Sequence, residues 1–126
     1  MNVLLDTCAL LALARGELPE EATAALSDAE EAYVSTVSPW EVAIKAAAGK
    51  LRLAEPPFLW FTRITDRYSL REVQIDARIV CAAAELPPIH RDPFDRIVAA
   101  LAQTNAWPVV TSDQNIAKYA AVKTIW

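Results

Sequence analysis

Short apolar runs alternate along this chain with longer stretches that repeat at helical spacing. Residues 2–5 (Asn-Val-Leu-Leu) predict a short buried strand. Thr7 to Arg15 predicts a helix, with Gly16 placed to end it in the left-handed conformation. Residues 20–29 predict a second, more exposed helix, and the β-branched and aromatic Tyr33-Val34-Ser35-Thr36 predicts a second strand. Ser38-Pro39-Trp40-Glu41 then combines three start signals: Ser38 as N-cap, Pro39 at the first helical position, and Glu41 completing a capping box. That helix should run to Ala48 and close at Gly49.

Pro56-Pro57 opens a further helix to about Tyr68, and Leu70–Val73 reads as a short strand. An Ala-rich helix over 76–86 should stop at Pro87-Pro88. Asp92-Pro93 starts the next, which runs to about Asn105. Val109-Val110-Thr111 predicts a strand, Gln114–Tyr119 a short helix, and Val122–Ile125 a last strand. Strands alternating with helices imply an α/β fold, a parallel sheet of four to five strands covered on both faces. No linker or repeat interrupts the pattern, so residues 1–126 are expected to form one domain.

Composition narrows the classes. A 54% hydrophobic and 22% charged chain is not intrinsically disordered. Asp6 breaks the apolar run from Val3 to Ala14, which lacks a charged leader and is too short for a membrane span. A soluble cytoplasmic protein is expected. Cys8 and Cys81 sit among apolar neighbours without metal-ligand spacing, and are expected to be buried thiols. The net charge of −4 argues against a bulk electrostatic binder of nucleic acid.

The acids have a position in common. Asp6 follows the first strand directly, and Asp113 follows the strand at 109–111. Glu41 opens the helix after the second strand, and Asp95 lies in the first turn of the helix after Asp92-Pro93. In open parallel α/β sheets ligands bind beyond the carboxyl ends of the strands. Each acid has an ordinary alternative as a helix cap or a first-turn charge. Gathered at one rim, however, such charges raise one another's pKa and call for compensation. A hard divalent cation supplies it, and no Cys/His cluster suits zinc. His90, the only histidine, reads as a structural or surface residue that metal chemistry does not require.

Val3-Leu4-Leu5-Asp6-Thr7, Ser38-Pro39-Trp40-Glu41-Val42-Ala43-Ile44-Lys45, His90-Arg91-Asp92-Pro93-Phe94-Asp95-Arg96 and Val110-Thr111-Ser112-Asp113 together resemble PIN-domain ribonucleases. More narrowly they resemble the VapC-type toxins of toxin–antitoxin pairs. The resemblance spans essentially the whole chain and implies a three-layer α/β/α fold. It also implies an endoribonuclease that uses Mg²⁺ or Mn²⁺, with catalytic acids at Asp6, Glu41, Asp95 and Asp113. Asp6, Asp95 and Asp113 fall where the family's metal ligands do, and Thr7 and Ser112 match its small hydroxyl residues. Asp92 is either an N-cap or a further member of the rim.

On this reading one or two ions assist hydrolysis of a phosphodiester. Lys45, one helical turn after Glu41, either pairs with it or contacts RNA. Arg91 and Arg96 are surface cations or phosphate contacts. Phe58 to Ile64 is apolar on nearly all sides and should be buried in the core or against another chain. With the resemblance, this points to a homodimer and to an antitoxin that occupies the metal rim. The competing reading is a non-catalytic interaction module whose acids are caps. An aspartyl-nucleophile phosphatase would want a second Asp where Cys8 stands, and a receiver domain lacks its late lysine near Thr111.

Overall fold

The computed structural model describes all residues from Met1 to Trp126. Five strands form one sheet: β1 (Val3–Leu5), β2 (Ala32–Ser35), β3 (Leu70–Val73), β4 (Val109–Val110) and β5 (Thr124–Ile125). Six helices connect them: α1 (Thr7–Arg15), α2 (Glu20–Asp28), α3 (Val37–Ala47), α4 (Pro57–Tyr68), α5 (Ala77–Glu85) and α6 (Pro93–Asn105). A single 3₁₀ turn over Ile116–Lys118 stands where the last short helix was expected. The spatial order is β3-β2-β1-β4-β5, and every pairing is parallel.

Two apolar layers sandwich the sheet, as its near-continuous hydrophobic strands require. Val3 and Leu5 point to one face, where they meet Leu10, Leu13, Val42, Trp60 and Phe61. Leu4 points to the other, against Ile79, Val98, Leu101, Ile116 and Tyr119. α1 to α4 thus supply one cover, and α5 with α6 the other. No helix is long and apolar enough to cross a membrane.

Two local expectations are corrected. α3 starts at Val37, directly after β2, so Ser38 is not an N-cap and no capping box forms. The chain leaves the sheet without an extended cap residue: Thr36 is already helical in φ and ψ, and Ser35 Oγ accepts the Val37 N–H. Both cysteines are exposed rather than buried. Cys8 lies in the first turn of α1, and Cys81 on the outer side of α5, whose buried stripe is only Ile79 and Ala83. α4 is likewise one-sided: Trp60 and Phe61 are buried, whereas Phe58 is 81% and Leu59 42% exposed. A helix lying on a surface buries one stripe, even when its sequence is apolar nearly all round.

Candidate metal centre

The sheet order reverses direction around β1: the chain steps from β1 to β2 and β3 on one side, then crosses to β4 and β5 on the other. This switch point lies between β1 and β4, and there the connections diverge to leave a crevice at the strand carboxyl ends. Asp6 leaves β1 and Asp113 follows β4 at that place. A cleft of about 360 Å³ opens there, lined by Asp6, Thr7, Cys8, Leu11, Glu41, Lys45, Asp92, Asp95, Ser112 and Asp113. It gathers five carboxylates around one lysine.

Asp6 is almost fully buried and does double duty. One oxygen caps α1 by accepting the Ala9 N–H at 2.8 Å. The other accepts the Thr111 hydroxyl, which in turn accepts the Asp113 N–H at 2.9 Å, so β1 and β4 are tied through their acids. Burial raises its pKa to about 6 against these two hydrogen bonds, and the charges of Asp113 and Glu41 add to the rise. Thr7 donates to Ser38 Oγ at 3.0 Å, clamping α1 to α3 beneath the cleft. Ser112 Oγ lies 3.2 Å from Cys8 Sγ at the rim.

Asp92 is the N-cap of α6, accepting the Phe94 N–H at 2.9 Å. It nonetheless faces the cleft, so the two roles weighed from the sequence coexist. Asp95, one turn on, caps nothing. Burial pushes its pKa to about 7, Asp92, Asp6 and Asp113 push the same way, and His90 opposes them. Glu41 bonds Lys45 at 2.7 Å, which raises the lysine pKa despite its partial burial. Asp113 caps its own turn by accepting the Asn115 N–H at 2.8 Å.

Two basic residues behave otherwise than the sequence suggested. Arg96 does not point to solvent or to the cleft. Its guanidinium donates to the carbonyls of Leu86 (2.7 Å), Pro87 (3.0 Å), His90 (3.2 Å) and Ala84 (3.3 Å). It is a staple that fixes the loop before α6, because a planar fork of five donors suits a ring of carbonyls. Arg91 is exposed and makes no side-chain bond. His90, read from the sequence as a bystander, belongs to the centre. Its Nε2 lies 2.7 Å from Asp113 Oδ2 and 3.2 Å from Asp95 Oδ2. Burial lowers its pKa, but the bond to Asp113 and the charges of Asp95, Asp113 and Asp92 together raise it above the ordinary value. The signal available in the sequence was its position, two residues before Asp92 in the loop that launches α6.

A parallel α/β fold with carboxylates gathered at its switch point defines a class of acid-site proteins. The PIN-domain family model matches residues 3–122, and the chain belongs to that family. It is similar to ribonuclease VapC22 of Mycobacterium tuberculosis, at 29% identity over 108 residues, covering 83% of this chain and 82% of that one. In fold it is similar to VapBC2 from Rickettsia felis bound to a promoter DNA fragment, with a TM-score of 0.70 at 14% identity over 98% of this chain and 97% of that one. It is similar also to a toxin–antitoxin complex from Klebsiella pneumoniae, with a TM-score of 0.66 at 22% identity over 95% and 94% of the two chains.

Proposed function

We propose that this chain is a metal-dependent endoribonuclease, the toxin of a toxin–antitoxin pair, and that residues 1–126 act as one cytoplasmic domain. One observation carries the reading: Asp6, Glu41, Asp92, Asp95 and Asp113 line a single cleft with Lys45 as its only fully charged cation. The likeness to ribonuclease VapC22 supports the reaction class. Capping alone does not explain the cluster. Asp6, Asp92 and Asp113 each spend one oxygen on a cap, whereas Glu41 and Asp95 cap nothing.

The donor set fits a hard cation: carboxylate oxygens in a polar cleft, two of them held at raised pKa by burial and, less strongly, by the neighbouring acids. Asp6, Asp95 and Asp113 would hold Mg²⁺ or Mn²⁺, with Glu41 as a further ligand or as the residue that orients the attacking water. The ion supplies Lewis acidity, easing loss of a water proton and neutralising charge on the phosphate. The chain's own part is placement. Thr111 and the Ala9 N–H fix both oxygens of Asp6, Lys45 fixes Glu41, and the cap at Asp92 starts α6 so that Asp95 faces inward. Lys45 and the exposed Arg91 are the cations left to meet RNA phosphates.

Exposed apolar residues support partners. Trp40 is 59% exposed and meets Phe94 edge to face with ring centroids 5.1 Å apart, and Ile44, Val80 and Phe58 are exposed too. Such residues suit a second copy of the chain. The solved toxin–antitoxin complexes of the same fold support an antitoxin partner, and a basic side chain from it would complement the acidic rim.

The test is cleavage of tRNA and ribosomal hairpins with Mg²⁺ or EDTA, beside Asp6→Ala. Sharp cleavage that needs metal and is lost in the variant is expected. No cleavage, together with no calorimetric binding of Mn²⁺ to partner-free protein, would return the acids to a capping role in an interaction module.

A further inference from the structure

We infer that His90 is a positioning residue that limits the cleft to one divalent cation, because its Nε2–H fills the space between Asp95 and Asp113 where a second ion would be held. The inference rests on the metal-centre reading above. Its first support is a tautomer. His90 Nδ1 accepts the Asp92 backbone N–H at 3.2 Å, so that nitrogen carries no proton. The neutral ring then bears its hydrogen on Nε2, and a protonated ring nitrogen has no lone pair to give a metal. That hydrogen is directed at Asp113 Oδ2, 2.7 Å away, with Asp95 Oδ2 at 3.2 Å.

The second support is that the backbone carrying the ring is anchored and that the ring's own two bonds oppose a flip. The His90 N–H donates to the Tyr119 hydroxyl at 2.9 Å, and the His90 carbonyl accepts from Arg96 at 3.2 Å. The main chain of His90 is thereby held between the buried Tyr119 and the Arg96 staple. Flipping the ring would place carbon atoms against Asp92 N–H and Asp113, and lose both bonds. The third support is the spacing: the ligand atoms of His90, Asp95 and Asp113 all lie within 4.8 Å of one another. This is the separation at which two carboxylates share a cation, and a donor hydrogen occupies it instead. Asp6, Glu41 and the remaining oxygens of Asp95 and Asp113 are left for a single ion.

The sole histidine makes the test direct. Two-bond ¹H–¹⁵N correlation spectra of the wild-type imidazole are recorded with and without Mg²⁺, and Mn²⁺ stoichiometry is measured by calorimetry. The expected result is an Nε2-protonated ring in both states and one Mn²⁺ per chain. His90→Ala should then take up two, whereas His90→Gln, which restores a donor at that end, should return to one. Loss of the Nε2 proton on adding Mg²⁺, two ions in the wild type, or one ion in a folded His90→Ala overturns the inference while leaving the metal centre intact. A wild type that binds no Mn²⁺ and cuts no RNA overturns both readings. The spectra need only the wild type, so an unfolded variant does not remove the test.

Discussion

Asp6→Asn should make the metal-free protein more stable, and more so at pH 8 than at pH 5. Asp6 is 2% exposed, and its pKa stands at about 6 in the fold against 3.8 unfolded. The folded state therefore holds the proton more tightly. Its share of stability is complete below the unfolded value and is lost as pH rises through the folded one. About two pKa units correspond to roughly 3 kcal/mol against the ionised wild type at pH 8. At pH 5, where the folded carboxyl is mostly protonated and the unfolded one is not, linkage leaves about half of that. Asparagine keeps an oxygen to cap α1 at the Ala9 N–H. It leaves the Thr111 hydroxyl hydrogen without its acceptor, at about 1 kcal/mol. The net gain is about 2 kcal/mol at pH 8 and well under 1 kcal/mol at pH 5, on the same linkage reasoning. With a urea slope of about 2 kcal/mol/M, the midpoint should rise by about 1 M at pH 8 in EDTA. Added Mg²⁺ should stabilise the wild type and not the variant. An equal loss of stability at both pH values would refute the argument, because Asp6 would then serve the fold as a cap rather than burden it as a charge.

Mg²⁺ binding near pH 6.5 should release protons, since the ion displaces them from Asp6 and Asp95, whose pKa values are raised to about 6 and about 7. Titrations in buffers of different ionisation enthalpy count those protons, and the count should vanish by pH 8.5. Arg96→Ala should cost about 2–4 kcal/mol, because four carbonyls lose a charged donor; thermal melts check this, and Arg96→Lys should recover only part of it. Ala106 ends α6 at φ 55°, so Ala106→Gly should stabilise by about 1 kcal/mol in chemical denaturation. Cys8 and Cys81 should both react with a thiol reagent in the native protein, and modification of Cys8 alone should abolish any cleavage, because it lines the cleft.

What could be read in advance was whatever local pattern controls. Apolar and β-branched runs marked β1, β2 and β4, and the rule that ligands gather at strand carboxyl ends placed Asp6, Asp113 and Glu41 together. Asp92 and Pro93 announced the start of α6 in two residues. What escaped depends on partners remote in sequence. Ser38 looked like a cap, yet its hydroxyl is used by Thr7, 31 residues away. Arg96 looked like a surface cation or a phosphate contact, but folding turns the preceding loop so that its carbonyls surround the guanidinium. His90 owes its place to Asp113 and Tyr119, 23 and 29 residues downstream, and no periodicity reports such a meeting. Cys81 had apolar neighbours on both sides and Cys8 on one, but a helix exposes positions that lie beside buried ones.

The tie between Asp6 and Thr111 links residues 105 apart in the chain. A ribosome making this protein emits β1 well before β4. At about 5–20 residues per second, several seconds separate the two. Through that interval Asp6 has no neighbour from β4, Asp113 does not exist, and the loop bearing His90 lacks the Tyr119 hydroxyl that anchors it. The fold thus delays assembly of its own acidic centre until the chain has been made as far as Tyr119. A nascent or truncated chain, tethered beside the RNA that encodes it, has no completed site with which to cut.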